Sequence, residues 1–165
     1  MNKKIRLISC DTSTKCSGVA TFDNCGLVDY QLFDFSKEKD VEKRINMMGK
    51  ELLSYLKKQK PDIIWIEHPQ GQGSNVSMVG KLCEILGIVR AYAIEKKVDY
   101  HEIMPSEWRK YAKFDQGKKQ RQELKQMSIE YVKENFNIDV TDDVSDAISI
   151  GCAVINYFKE KKNDS

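Results

Sequence analysis

Acidic residues stand at the ends of two apolar segments and at the start of a third. Asp11 follows the first apolar run, and Glu67 follows the run IIWI. Asp143 and Asp146 lie three residues apart before another apolar stretch, so both would point to one face of a helix within one turn. Carboxylates that converge on one space repel each other unless cations lie between them. Oxygen-only ligands favour Mg²⁺ or Mn²⁺, and two such ions can activate water for hydrolysis of a phosphodiester.

The same acids also have simpler interpretations. A strand can end on an acid because solvent begins there. Acids are common in the first turn of a helix, where they complement the helix dipole, and Asp143 with Asp146 has a spacing like that of a capping box. Asp139 and Asp142 belong to the same acidic stretch. The sequence leaves open whether Asp142 or Asp143 would be a metal ligand.

Hydrophobic periodicity predicts the elements that must position these acids. We expect strands over residues 5–10, 19–22, 27–35, 63–66 and 98–103, and helices over 39–60, 76–97, 105–112, 118–135 and 143–159. This order predicts an α/β fold with a five-stranded mixed sheet flanked by helices, in which the first three strands are antiparallel. The run 63–66 has the composition of a strand buried on both faces. We expect one domain over residues 1–159 and a frayed tail over 160–165.

Composition limits the possible classes of protein. The 165 residues are too few for a two-lobed enzyme, and 27 basic against 25 acidic residues give a net charge of only +2. No apolar run is long enough to cross a membrane, and the first residues do not resemble a secretory signal. We therefore expect a cytoplasmic protein. Five cysteines without zinc-like spacing predict reduced thiols, with Cys83 and Cys152 buried on helix faces.

Positive charge is concentrated in one segment. Residues 105–125 contain seven basic and three acidic residues, a local net charge of +4 that exceeds that of the whole chain. A segment of this kind can neutralise phosphates, and binding through it would weaken steeply with salt. The alternative is a solvated helix face on which the charges pair with one another.

The motifs DTSTKCSGVATF, IIWIEHP and DDVSDAISIG occur in this order. Together they resemble the RuvC family of Holliday-junction resolvases in the ribonuclease H-like superfamily, over residues 5 to about 157. The resemblance implies a structure-selective endonuclease in which Asp11, Glu67, Asp143 and Asp146 are the catalytic, metal-binding residues for two Mg²⁺ ions, with Mn²⁺ as a substitute. It also implies a homodimer that cuts two strands of a four-way DNA junction, with residues 76–97 as the dimerisation helix.

The resemblance also implies a set of DNA-binding residues. Arg109 and Arg121 match the basic positions of the family, and neighbouring lysines are alternatives. The full predicted set is Arg109, Lys110, Lys118, Lys119, Arg121 and Gln70. Gln70 stands where cellular members carry an aromatic residue that wedges into the junction, so we expect relaxed selectivity, with cleavage of forks or flaps as well. A divergent phage member would account for this difference, and we would then expect the protein in the host cytoplasm.

Two other functions remain open at this level. The chain could be another ribonuclease H-like nuclease that acts on RNA or on RNA/DNA hybrids. It could also be a non-catalytic junction-binding protein, in which the acids only cap a helix.

Overall fold

The computed structural model describes residues 4–70, 76–114 and 117–163. Within these ranges the chain forms five strands and five helices. The strands are β1 (Arg6–Asp11), β2 (Cys16–Asp23), β3 (Gly26–Asp34), β4 (Ile63–Glu67) and β5 (Asp99–Ile103). The helices are α1 (Val41–Gln59), α2 (Val76–Lys96), α3 (Pro105–Tyr111), α4 (Arg121–Phe136) and α5 (Asp142–Asn163).

The five strands form one mixed sheet in the order β3-β2-β1-β4-β5. β1, β2 and β3 are joined as antiparallel neighbours, whereas β4 runs parallel to β1 and β5 runs parallel to β4. The helices α1 and α2 provide the crossover connections that parallel neighbours require. The predicted α/β class, the five strands and the antiparallel start of the sheet are confirmed.

The largest differences from the predicted boundaries lie at β2, α4 and α5. β2 begins at Cys16, three residues before its predicted start, because residues 16–18 pair with the end of β3 although their composition is polar. α4 begins at Arg121, where the backbone N–H of Gln120 donates a hydrogen bond to the Glu123 carboxylate (2.7 Å). α5 continues to Asn163, four residues past its predicted end. The single domain over 1–159 and the frayed tail over 160–165 stay predictions.

Two hydrophobic cores lie on the two sides of the sheet. The first packs the sheet against α1 and α2, and the second packs it against α3, α4 and α5. The large, fully buried side chains of the first core include Ile8, Met48, Leu52, Leu56, Ile64, Ile66 and Ile85. Those of the second include Phe22, Trp108, Ile148 and Ile150.

Alternation along β1 places its last residue on the side of the second core. Ile8 and Cys10 pack in the first core, and Leu7 packs in the second. The buried hydroxyl of Ser9 donates a hydrogen bond to the carbonyl of Ala147 in α5 (2.6 Å). Because successive side chains of a strand point to opposite faces, Asp11 shares the face of Leu7 and Ser9.

The same alternation applies to β4. Ile64 and Ile66 are buried in the first core, whereas Ile63 and Trp65 pack against the second. Glu67 therefore lies on the same face as Asp11. The expectation that residues 63–66 are buried on both faces is wrong for one face: Trp65 is half-buried and stacks on His101 at 4.6 Å between ring centroids.

All five cysteines are free thiols, as predicted. Cys10 is buried and Cys152 is half-buried, but Cys83 is exposed on α2, so its predicted burial is wrong. The face of α2 that carries Cys83 points away from the sheet. Among the described helices, none combines the length and the apolar character needed to cross a bilayer.

A cluster of charges joins β1 to β2 at the end of the sheet away from Asp11. Arg6 and Asp23 face each other in the register and form two parallel hydrogen bonds of 2.7 and 2.9 Å. Lys4 contacts the same carboxylate at 2.7 Å. The hydrogen bond from Arg6 is the main cause that lowers the pKa of Asp23 to about 2.

We expect Asp23→Asn to lower the free energy of unfolding at neutral pH by about 1 kcal/mol, the upper value for an ion pair near the surface. The pKa of Asp23 is about 2 in the folded chain against 3.8 in the unfolded chain, so its stabilising effect is complete above pH 3.8 and is lost as the pH falls through about 2. Urea unfolding of both chains between pH 6 and pH 2 measures this, and their difference should shrink toward the acid end. Asp139→Asn, at an exposed carboxylate, is the control; a difference that stays constant with pH would contradict the assignment.

Candidate active site

The four predicted acids come from three elements that meet at one end of the sheet. Asp11 ends β1 and Glu67 ends β4, which are parallel neighbours, so both carboxylates lie at the same sheet edge. Asp143 and Asp146 lie in the first two turns of α5, which packs across β1 and β2. The side chains of all four residues line one cavity of about 450 Å³. The predicted juxtaposition of acids is therefore present in the structure.

The position of α5 depends on a glycine in β2. Gly18 pairs with Asp11 in the sheet, and a Cβ atom built on Gly18 would lie 2.0 Å from the carbonyl oxygen of Asp143. Only a residue without a side chain lets the start of α5 approach the end of β1 this closely. The Ser9 hydroxyl fixes the next turn of the helix through Ala147. These two contacts set where Asp143 and Asp146 stand.

Burial raises the pKa of all four acids, and neighbouring carboxylates raise it further for Asp11 and Asp146. Burial, followed by the charges of Glu67 and Asp146, raises the pKa of Asp11 well above its ordinary value. Burial and the charge of Glu67 raise the pKa of Asp146 to about 7. Burial also raises the pKa of Glu67 and of Asp143. Such a cluster destabilises the ionised form of the folded chain unless positive charge is brought to it.

Glu67 has one fixed hydrogen-bond partner. The indole N–H of Trp108, a fully buried side chain in α3, donates to Glu67 Oε2 at 2.6 Å. This contact orients the carboxylate and partly opposes the rise of its pKa. Trp108 packs in the second core, but its contact with Glu67 had no signal in the sequence.

Asp142 and Asp143 have different surroundings in the structure. Asp142 is paired with the ammonium group of Lys125 in α4, which holds the pKa of Asp142 below its ordinary value in spite of burial. Asp143 lines the cavity and Asp142 does not. The capping-box interpretation is wrong because α5 begins at Asp142, so Asp143 lies inside the first turn and Asp146 faces the cavity.

The donor set fits a hard divalent cation. Every acidic ligand offers oxygen, and Asp146 Oδ1 is buried without a hydrogen-bond partner. Within the described ranges, no three histidine, cysteine or acidic side chains are arranged as a ready set of metal ligands.

The predicted DNA-binding residues divide into two groups. Arg109, Arg121 and Gln70 line the acid cavity. Lys110 and Lys118 are exposed and Lys119 is half-buried, and the structure does not bring these three lysines to the cavity wall. Contact between them and DNA outside the cavity stays a prediction.

Other residues of the cavity wall were not predicted as site residues. Thr12 directly follows Asp11, Lys125 reaches in from α4, and His68 follows Glu67 and is hydrogen-bonded to Glu102 (2.6 Å). Lys125 is part of the basic segment, so its charge was visible in the sequence but its place was not. The adjacency of Thr12 to a strand-ending acid was the available signal for that residue.

This sheet order, with helices on both faces and acids at the shared end of β1, β4 and α5, defines an α/β fold of the ribonuclease H-like type. No family model matches the sequence, and no curated protein matches it in sequence. The fold is similar to that of Thermus thermophilus RuvC in complex with Holliday junction substrate, with a TM-score of 0.73 and 14% identity over 94% of this chain and 96% of the other.

Two further solved structures share the fold. The fowlpox virus resolvase, solved with Holliday junction DNA, has a TM-score of 0.61 and 17% identity over 93% of this chain and 99% of its own. The yeast mitochondrial Holliday junction resolvase has a TM-score of 0.63 and 11% identity over 96% of this chain and 82% of its own. The resemblance inferred from the motifs is thus confirmed for the fold, which is that of RuvC and related resolvases.

We expect Trp108→Phe to raise the pKa of Glu67 further, because the carboxylate loses its N–H donor while most of the packing volume is kept. The free energy of unfolding should fall by about 1 to 2 kcal/mol. NMR titration of the Glu67 carboxyl group and urea unfolding measure the two effects. Trp65→Phe is the matched control, since the indole N–H of Trp65 has no partner. An equal pKa of Glu67 in the native and Trp108→Phe chains would show that this hydrogen bond does not act on Glu67.

Proposed function

We infer that this protein is a divalent-metal-dependent endonuclease that cuts branched DNA, with the four-way junction as its main substrate. The observation that supports this most is the convergence of four carboxylates, each buried or half-buried, and two arginines on one cavity. The fold is shared with three resolvases, two of which were solved with junction DNA. A helix-capping role for the acids gives no reason for burying them at a cost in stability.

In this proposal Asp11, Glu67, Asp143 and Asp146 hold two Mg²⁺ ions, and Mn²⁺ can replace them. Bound at this site, the ions would supply a nucleophilic water and charge stabilisation for phosphodiester hydrolysis. The choice of Asp143 over Asp142 is based on the ion pair that Asp142 already makes with Lys125. Trp108 keeps Glu67 oriented toward the cavity.

Arg109 and Arg121 are proposed to hold the DNA phosphate. Both line the cavity, and the charge of each opposes the raised pKa of Glu67, so both lie within electrostatic reach of the acids. A guanidinium group matches the geometry of a phosphate better than an ammonium group does. Lys110, Lys118 and Lys119 would bind the arms of the DNA at a greater distance, where their charges chiefly set the salt dependence of affinity.

The side chain of Gln70 affects which kinds of branched DNA the site can accept. It lies at the cavity wall, immediately before residues 71–75, which are outside the described residues. A glutamine side chain can hydrogen-bond to a base or a phosphate but has no aromatic surface to stack against an unpaired base. We therefore propose that forks and flaps are cut together with four-way junctions.

Asp146→Asn should lower the rate of Mg²⁺-dependent nicking of a four-way junction by more than about 100-fold, because a ligand carboxylate is lost. Binding to the junction should be kept. Gel assays with four-way, forked, flapped and RNA/DNA hybrid substrates, each with Mg²⁺ or Mn²⁺, measure both properties. The matched control is Asp139→Asn, at an exposed acid of the same segment that is paired with Lys133.

Three outcomes of these assays decide between functions. Preferential cleavage of the hybrid would favour a nuclease for RNA or hybrids. Binding without any nicking by the native chain, with either cation, would favour a non-catalytic junction-binding protein. Cleavage of four-way junctions alone would contradict the relaxed selectivity.

We also propose that the protein acts as a homodimer through α2. One active site cuts one strand, so paired cuts in a four-way junction call for two sites related by a two-fold axis. The outer face of α2 is apolar and open to solvent: Val76 and Ile94 are 65% and 74% exposed, and Gly80 and Gly87, on the same face, have open space in front of them. Glycines on such a face allow a second helix to approach closely.

Val76→Glu combined with Ile94→Glu should weaken dimerisation by about 100-fold or more, because charges would be buried without partners. Sedimentation equilibrium measures this, with the native chain at twice 19.1 kDa and the variant at 19.1 kDa. Val28→Glu, at a side chain that is 53% exposed on β3, is the control. A native chain that stays at the monomer mass with and without DNA would contradict concerted cutting by a dimer.

A further inference from the structure

Three buried polar atoms that lack hydrogen-bond partners belong to residues of the same cavity wall. They are Thr12 Oγ1, Arg109 Nε and Asp146 Oδ1. The other two such atoms in the described residues belong to Arg44 and Trp65, which do not line this cavity. Buried polar groups are normally paired, so a concentration of unpaired ones at one place indicates a ligand that completes them.

The loop between β1 and β2 holds Thr12 at the cavity without using the Thr12 hydroxyl in a hydrogen bond. The loop from β1 to β2 is closed by Ser13 and Ser17: the Ser13 hydroxyl donates to the carbonyl of Cys16 (2.6 Å), and the Ser17 hydroxyl donates to the carbonyl of Ser13 (3.2 Å). Thr12 itself is only 7% exposed. Its hydroxyl therefore stays available beside Asp11, held in place by bonds that its neighbours make.

The chemistry of the three atoms selects the ligand. Asp146 Oδ1 is an acceptor and is suited to a cation. Arg109 Nε is a donor and requires an anionic or carbonyl oxygen, and a threonine hydroxyl can donate to the same group. A phosphodiester bound next to cations offers anionic oxygens of this kind, and donors to them form charge-assisted hydrogen bonds.

We propose that the Thr12 hydroxyl donates a hydrogen bond to a non-bridging oxygen of the scissile phosphate, on the same side as Arg109. This inference rests on the proposed nuclease function for the identity of the ligand. Thr12 is then a substrate-binding residue of the site, in addition to the four acids and the arginines.

One test does not depend on DNA. Thr12→Val replaces an unpaired hydroxyl by a methyl group of the same shape, so the midpoint of urea unfolding without ligand should stay unchanged or rise. The matched control is Thr21→Val: the buried Thr21 hydroxyl is hydrogen-bonded to the Tyr55 hydroxyl (2.7 Å), and its removal should lower the midpoint. A large fall for Thr12→Val would show that its hydroxyl has a structural partner and would overturn the inference.

The second test measures the contact with phosphate. With Ca²⁺ in place of Mg²⁺ to prevent cleavage, Thr12→Val should weaken binding to a four-way junction by about tenfold, the effect of one hydrogen bond to a charged group. Thr12→Ser, which keeps the hydroxyl, and Thr21→Val should bind as the native chain does. A single phosphorothioate at the scissile position, which offers a poorer acceptor, should weaken binding by the native chain but not by Thr12→Val.

The outcomes separate this inference from the proposed function. Equal affinity of the native and Thr12→Val chains, or equal weakening by Thr12→Val and Thr12→Ser, would overturn the role of Thr12 whether or not the protein cuts DNA. A native chain that binds with the predicted pattern but never nicks DNA with Mg²⁺ would contradict the nuclease and support the Thr12 contact. Absence of DNA binding by the native chain would overturn both.

Discussion

The removal of carboxylates from water at one end of the sheet is the constraint on which the rest of the structure depends. Asp11, Glu67 and Asp146 each have a raised pKa, and burial is the main cause for each. A fold keeps such an arrangement only if other interactions are strong enough to oppose it. Here two hydrophobic cores, one on each face of the sheet, hold β1, β4 and α5 in place. The apolar packing therefore offsets the free-energy cost of the acidic cavity.

The location of the acids was predictable because it follows from strand parity and chain order. An acid directly after an apolar strand lies at the strand's end, and parallel neighbours end at the same edge. Residue types alone therefore placed Asp11 and Glu67 at strand ends, and their assignment to one site came from the resemblance of the motifs to the RuvC family. The helix that carries Asp143 and Asp146 was visible as an apolar periodic segment, so its packing on the sheet could be expected as well.

What the sequence did not predict depends on contacts between side chains that are distant along the chain. The indole of Trp108 packs in the second core, yet its N–H donates to Glu67, which lies 41 residues earlier. The choice between Asp142 and Asp143 depends on Lys125, a residue of another helix. Similarly, the polar residues at the start of β2 have low strand propensity and form a strand because β3 pairs with them.

The close fit between Gly18 and the backbone of Asp143 links the sheet to the helix at a fixed register. Since side chains alternate along a strand, the insertion or deletion of one residue within β1 would turn the Asp11 carboxylate to the face of α1 and α2. It would also move Gly18 out of its place opposite that acid. Length changes in β1 are thus incompatible with the cavity, whereas the exposed turn at Asn24 and Cys25, at the far end of the hairpin, has no such restriction. Natural variation in chain length should accordingly collect at that turn and be absent from β1.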